Sequence, residues 1–257
     1  CLAENGAVVP NLAAGSNPRT AVGQKADGTL VFYTIDGRKT GYSIGASLSQ
    51  VGERLLELGC QTVLCLDGGG STNLAVTTPD STTASIINRP SESNRKVTNQ
   101  IFLVASDHSS GRLDHFYVNA ASDYVLVGST VSVTASGVDS NYIPMDASYT
   151  LSANAGSVAE QENGRYLLTT PASGGDVTVT ASGRGATGST VVHAVRSPDT
   201  LTLKNGASNL TELTVTPGSK TDLTAGAVWN HLPLTATNEA FTWSVSGDIG
   251  TVDERGV

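Results

Sequence analysis

The amino-acid sequence predicts a multidomain protein, an α+β domain followed by all-β sandwiches. Three observations carry this reading. The first hundred residues mix short strand runs with one helical stripe. Beyond residue 112 the pattern alternates with period two and shows no helical period. The second half also repeats itself at an offset of about ninety residues, the length of one small sandwich.

In chain order, residues 20–24 and 30–35 read as strands joined through an Asp27-Gly28 turn, a strong hairpin signal. Ser47 reads as a helix N-cap, with Gln50 three residues on in capping-box spacing. Leu48, Val51, Leu55 and Leu58 then make one apolar stripe, and Gly59 tolerates the left-handed stop. Thr62-Val63-Leu64-Cys65-Leu66 reads as a short buried strand that runs into Asp67-Gly68-Gly69-Gly70-Ser71-Thr72. Asp67 is therefore expected at the C-terminal end of a core strand, on a loop of unusual backbone freedom. Residues 85–88 and 100–105 read as further strands, and the polar stretch 107–111 as a linker.

Past the linker, runs such as Thr130-Val131-Ser132-Val133-Thr134 and Asp176-Val177-Thr178-Val179-Thr180 alternate between turn residues, the pattern of a β-sandwich. Gly128-Ser129-Thr130-Val131 corresponds to Gly218-Ser219-Lys220-Thr221, and Asn141-Tyr142-Ile143-Pro144-Met145 to Asn230-His231-Leu232-Pro233-Leu234. Gly156-Ser157-Val158 corresponds to Gly250-Thr251-Val252. The expected boundaries are 1–106 for the α+β domain, 107–111 for the linker, and 112–196 and 197–257 for two sandwiches, the second incomplete. Cys1 in place of Met and a stop in mid-pattern at Val257 lead us to expect that both ends are cut.

Composition bounds the function. Hydrophobic residues at 39% and charged residues at 15% describe a folded chain rather than a disordered one. The net charge is −8, and it is unevenly placed. Residues 1–106 hold eight acidic and eight basic side chains, whereas residues 107–257 hold fifteen and seven. An acidic second half without a basic patch argues against nucleic acid and anionic lipid as partners. The three cysteines form no CxxC pair and no Cys/His cluster, so neither a metal nor a cofactor is expected, and Cys60 and Cys65 should pack as small hydrophobes. His108, His115, His193 and His231 all fall in the linker or tail, so Ser-His-Asp or Cys-His chemistry within residues 1–106 lacks its base. No stretch of about eighteen apolar residues is present to cross a membrane.

Six elements in order then show a family resemblance. They are Asn17-Pro18-Arg19-Thr20-Ala21-Val22-Gly23, Ile35-Asp36-Gly37-Arg38, Tyr42-Ser43-Ile44-Gly45-Ala46, residues 66–72, Asn88-Arg89-Pro90 and Arg95-Lys96-Val97-Thr98-Asn99. Together they resemble the phosphodiester glycosidase family. The resemblance implies a hydrolase that splits a sugar-1-phosphodiester, of the N-acetylglucosamine type, into free sugar and phosphomonoester. It covers only the C-terminal part of the catalytic domain. Family members carry a preceding segment with an Asn-Gly-Gly-Phe-like motif that nothing here matches, which leaves the activity of this stretch alone open. The tail resembles bacterial immunoglobulin-like modules, a generic resemblance that implies no activity.

The chemistry of such a reaction asks for particular residues. Cleavage at an anomeric carbon passes through an oxocarbenium-like state that one or two carboxylates flank, and Asp67 is the best-placed carboxylate. Phosphate needs anion binding, which the backbone N–H groups of Gly68, Gly69 and Gly70 can supply as a nest. Arg19, in a catalytic role, and Arg95 can add planar bidentate contacts to phosphate oxygens. Ser43, Ser71, Thr72, Asn99, Thr20 and Asp36 are candidate contacts to the substrate. Several have a plainer alternative: Asp67-Gly68-Gly69-Gly70 a flexible turn, Arg19 a surface charge or structural bridge, Arg95 a solvated loop charge, Asp36 half of an Asp-Gly turn, and Asn99 a cap or a bridge between strands. The expected partner is a glycan or glycosyl-phosphate substrate. The expected location is extracellular or the cell envelope, with export signal and any cell-wall attachment lying outside this chain. The rival reading is a non-catalytic surface adhesin whose first domain only recognises glycans.

Overall fold

The structure, a computed structural model, describes residues 1–93, 95–98, 100–104, 108–161, 165–206, 208–247 and 250–257. It is mostly β, with several sheets, and divides into two compact units, Cys1–Val104 and Ala105–Val257. Among the described residues no helix is long and apolar enough to cross a membrane.

The first unit opens with two short strands, β1 (Ala3–Glu4) and β2 (Ala7–Val8), around Asn5 and Gly6, whose φ angles of 52° and 78° form the left-handed turn that Asn-Gly favours. β3 (Arg19–Lys25) and β4 (Leu30–Ile35) follow as a hairpin. Helix α1 (Leu48–Glu57) comes next, then β5 (Cys60–Cys65). β6 (Ala75–Val76) and β7 (Ser85–Ile86) pair as a small ribbon. The main sheet runs β2-β1-β5-β3-β4, all antiparallel.

Helix α1 forms where the stripe and the caps agree. The Ser47 hydroxyl accepts from Gln50 N at 3.2 Å, and Ser47 N donates to Gln50 Oε1 at 2.9 Å, which completes the capping box. Val51 and Leu55 are buried against Leu2, Ala21, Cys60 and Val63 on one face of the sheet. Cys60 thus packs as a small hydrophobe, and all three cysteines are free. Two expectations need correction here. Residues 100–104 form no strand and Ile101, Phe102, Leu103 and Val104 are all exposed, because no described strand offers them a ladder. The strand expected over 85–88 shortens to Ser85–Ile86, because Asn88 turns its side chain into the loops described below.

The second unit is built from β8 (Leu113–Ala120), β9 (Tyr124–Leu126), β10 (Thr130–Asp139), β11 (Pro144–Met145), β12 (Thr150–Ala153), β13 (Ser157–Glu160), β14 (Tyr166–Thr169), β15 (Gly175–Gly183) and β16 (Ala186–Val195). β17 (Thr200–Asn205), β18 (Ser208–Asn209), β19 (Thr224–Trp229) and β20 (Leu232–Leu234) complete it. One sheet runs β11-β10-β14-β13 with β8 on β10, and a second runs β12-β15-β16-β9. Their alternating side chains meet in one core of Phe116, Val131, Val133, Leu168, Val177, Val179 and Val192, all at most 2% exposed. A third sheet, β18-β17-β19-β20, joins β9 through Leu126, Ala227 and Leu234 and through a bridge between Val125 and Thr235. Among the described residues the helical element of this unit is a single 3-10 turn, Asn238–Ala240.

Two hairpins of this unit resemble each other. β10 turns into β11 as β19 turns into β20, Val138 facing Pro144 as Val228 faces Pro233. Tyr142 and His231 occupy the same left-handed turn position, with φ 60° and 63°. The turn after β10 hangs on Asp139, which is fully buried. Its carboxylate accepts from Asn141 N at 2.8 Å, Ile143 N at 3.0 Å, Ser109 Oγ at 2.8 Å and Ser110 N at 2.6 Å. Burial alone raises the carboxyl, but these bonds outweigh it and hold Asp139 well below the usual carboxylate range.

Candidate active site

The site candidates of the first unit gather where β5 ends. Leu66 N donates to Thr20 O at 2.8 Å, the last rung before the chain leaves the sheet. Asp67 comes next, exposed, and its carboxylate makes no hydrogen bond or ion pair among the described residues. Gly69–Ser71 then form a 3-10 turn tied back by Gly69 N to Pro18 O at 2.9 Å.

The turn needs its glycines because other groups crowd it. Gly69 has φ 62°, and a side chain there would press on the Arg38 guanidinium at 3.2 Å. A Cβ on Gly68 would lie 2.9 Å from Pro18 O, and one on Gly70 would overlap the Glu92 carboxylate and lie 2.8 Å from Arg95 Nη1. Two guanidinium groups therefore flank the turn. Arg38, itself left-handed at φ 55°, donates Nε and Nη2 to Asn17 Oδ1 at 3.2 and 2.9 Å. Arg95 donates Nη1 to both Glu92 oxygens at 3.1 and 2.9 Å, and both side chains stay about half exposed. Ser91, beside Glu92, has a buried hydroxyl with no hydrogen-bond partner among the described residues.

Asp36 is the hub that joins the loops. Its Oδ1 accepts from Asn88 Nδ2 at 2.8 Å, and its Oδ2 from Arg89 N at 2.8 Å and Tyr42 Oη at 3.0 Å. Burial, and then the Asp36 bond, push the Tyr42 hydroxyl up. The Arg89 guanidinium lies 4.8 Å over the Tyr42 ring. Asn88 Nδ2 also donates to Thr72 O at 3.1 Å, so Asn88 ties the hub to the back of the glycine turn. Ser43 Oγ donates to Asp36 O at 2.6 Å and accepts from Gly45 N at 3.2 Å. Gly45, with φ 94°, lies on the backbone of Asn17 too closely for any side chain.

The structure thus brings Arg19 and Thr20, at the start of β3, beside the loops that carry Asp36, Ser43, Gly68, Gly69, Gly70, Ser71, Thr72 and Arg95. It employs several of them in holding those loops together. Arg19 donates Nε to Ala46 O at 3.1 Å and Nη2 to Gly15 O at 2.9 Å, the bridging alternative. Thr72 is buried and shares a 3.4 Å hydroxyl bond with Thr20. Asp67, the outer face of Arg95 and the half-buried Ser71 keep unengaged polar atoms among the described residues. Asn99 lies outside the described residues. Sequence reasoning missed Arg38, Asn17 and Asn88 as site residues, although Arg38 follows Asp36-Gly37 directly. Their roles depend on contacts with Gly69, Arg38 and Asp36 from other loops. No group of three or more His, Cys, Asp and Glu among the described residues could hold a metal ion.

Comparison with known proteins bears on the first unit. Residues 1–104 match the family model of phosphodiester glycosidase. A curated relative, the SPbeta prophage-derived uncharacterized protein YomE of Bacillus subtilis (strain 168), is 45% identical over 60 residues. That alignment takes up 23% of this chain and 9% of the relative's length. The family match supports a glycosidase-type hydrolase in general, and it rests on the unit that carries the glycine turn.

Proposed function

We propose that the first unit carries the site of a glycosidase that hydrolyses a sugar-1-phosphodiester, of the N-acetylglucosamine type, to free sugar and phosphomonoester. The observation that carries this reading is Asp67, an exposed carboxylate without a partner among the described residues, next to a glycine turn that Arg38 and Arg95 flank. A carboxylate in that position can stabilise positive charge growing at the anomeric carbon. The guanidinium groups can hold the phosphate oxygens as the ester bond to the sugar breaks. In this reading Asp36, Asn88 and Arg19 position the loops, while Ser71 and the free donors of Arg95 meet substrate.

In the same proposal, residues 112–196 and 197–257 are immunoglobulin-like modules that display the first unit outside the cell or in its envelope. The hairpin repeated at β10–β11 and β19–β20 supports two related modules. The test is to incubate the protein with an N-acetylglucosamine-1-phosphate diester and assay free sugar, beside Asp67→Asn. Release that Asp67→Asn abolishes supports the enzyme. Glycan binding without turnover, from this chain and from longer forms of the protein, favours the adhesin.

A further inference from the structure

The second unit holds a groove of about 450 Å³ that the activity proposed for the first unit does not use. Its floor follows from strand register. β9 pairs in parallel with β16, and Tyr124 stands opposite His193. Their neighbours Val125, Val192 and Ala194 point into the core, so alternation turns both rings outward. The rings stack with centroids 4.9 Å apart. Trp229, the last residue of β19, lies 5.7 Å from Tyr124 at an angle of 30°. Three rings in a row therefore line one open groove.

Polar groups surround that row. Asp176 stands opposite His193 in the β15–β16 ladder, and its Oδ1 lies 2.7 Å from His193 Nδ1. With Nδ1 engaged by Asp176, the other ring nitrogen of His193, Nε2, lies outside that bond. Arg196 and Ser197 are exposed at the edge. Among the described residues neither the Arg196 guanidinium nor the Trp229 indole N–H makes a hydrogen bond, so both remain donors.

We propose that this groove binds a neutral saccharide. A pyranose ring has apolar C–H faces that pack against aromatic rings, and hydroxyls that both donate and accept. The groove offers the rings, donors in Arg196 and Trp229, and an acceptor in the Asp176 carboxylate. Its volume falls within the roughly 300–1,000 Å³ of small-ligand sites. Charge argues against an anionic polymer, since residues 107–257 carry fifteen acidic and seven basic side chains, and Arg196 is the one Lys or Arg among the groove's lining residues. The site stands apart from the proposed hydrolysis and would hold its enzyme or adhesin on a glycan.

The test uses the whole chain with Trp243→Phe, which leaves Trp229 as the sole tryptophan. Chitotetraose, cellotetraose and maltotetraose are titrated while Trp229 emission is followed. The expected result is a saturable change with at least one of them, weakened roughly tenfold or more by Arg196→Ala and by Asp176→Ala. Both of those side chains are exposed, so circular dichroism should be unchanged. No response to any of the three up to roughly 10 mM overturns the proposal, as does binding that neither substitution weakens. Self-association lost in Arg196→Ala, with no saccharide response, overturns it in favour of a contact between copies of the chain.

Discussion

The ladder of β15 with β16 runs through nine paired positions and that of β10 with β8 through seven, with valines filling the space between the sheets. The first unit has a longest ladder of six, between β3 and β4, and much of its chain lies in loops. Its loops are held by side chains that reach backbone and one another: Asp36, Asn88, Arg19 and Arg38. The aspartates make the same contrast. Asp139 is sealed under four donors, Asp36 is half-buried under three, and Asp67 has none among the described residues. Where ladders satisfy the backbone, buried polar side chains serve the turns, as Asp139 does. Where ladders give way, polar side chains must hold the loops, and a reactive group can stand beside them at little structural cost.

The contrast can be broken by experiment, and the largest effect should come from the apolar core. Leu168 is fully buried, so Leu168→Ala should lower unfolding stability by about 2–5 kcal/mol in chemical denaturation. Amide exchange of α1 should not change if the first unit stands on its own loops and core, and faster exchange there would break the contrast. Asp67→Asn should reverse that pattern. Turnover on a glycosyl phosphodiester should fall roughly a hundredfold, about 3 kcal/mol in the barrier, while stability moves by less than about 1 kcal/mol. Retained turnover with a lowered melting temperature would make Asp67 a turn residue and shift the catalytic carboxylate elsewhere.

Gly45→Ala probes the loops themselves. A left-handed φ and direct contact with Asn17 should cost about 1–3 kcal/mol, read as a lower melting temperature. Asp139 sets a pH dependence. Because its folded carboxyl is held below the ordinary value of 3.8, the stability it contributes is complete above that value and lost as pH falls from there toward the folded value. Asp139→Asn should therefore be less stable at neutral pH and show a flatter acid limb in thermal melts taken below about pH 4. The smallest effect belongs to Ser91→Ala. Removing a buried hydroxyl that has no partner among the described residues should change stability by less than about 1 kcal/mol, toward greater stability if it changes at all.

Much of this fold was legible in the chain. The capping box at Ser47 and Gln50, the Asp27-Gly28 turn and the position of Asp67 just past β5 all appear as read. The β1–β2 hairpin was not read, although Asn5-Gly6 marks its turn, because its strands are only two residues each and gave no alternation to notice. The strand expected at 100–105 shows the opposite failure. Ile101-Phe102-Leu103-Val104 has every local mark of a strand and no described partner to pair with. At the site, the glycine turn announced itself, whereas Arg38 did not. Its left-handed backbone and its contact with Gly69, thirty-one positions on, leave no periodic trace.

By itself the sequence determined whatever depends on neighbours a few residues apart: the helix and its caps, the turns and the alternation of the tail. Tertiary structure alone decided which polar groups are occupied. Asp36 and Asp67 each stand next to glycine in the chain, yet one is bound by Asn88 and Arg89 from more than fifty positions away and the other has no partner among the described residues. The physical reason is that a hydrogen bond constrains two groups in space and not in sequence. The division of carboxylates between holding loops and meeting a ligand is made only when the loops come together.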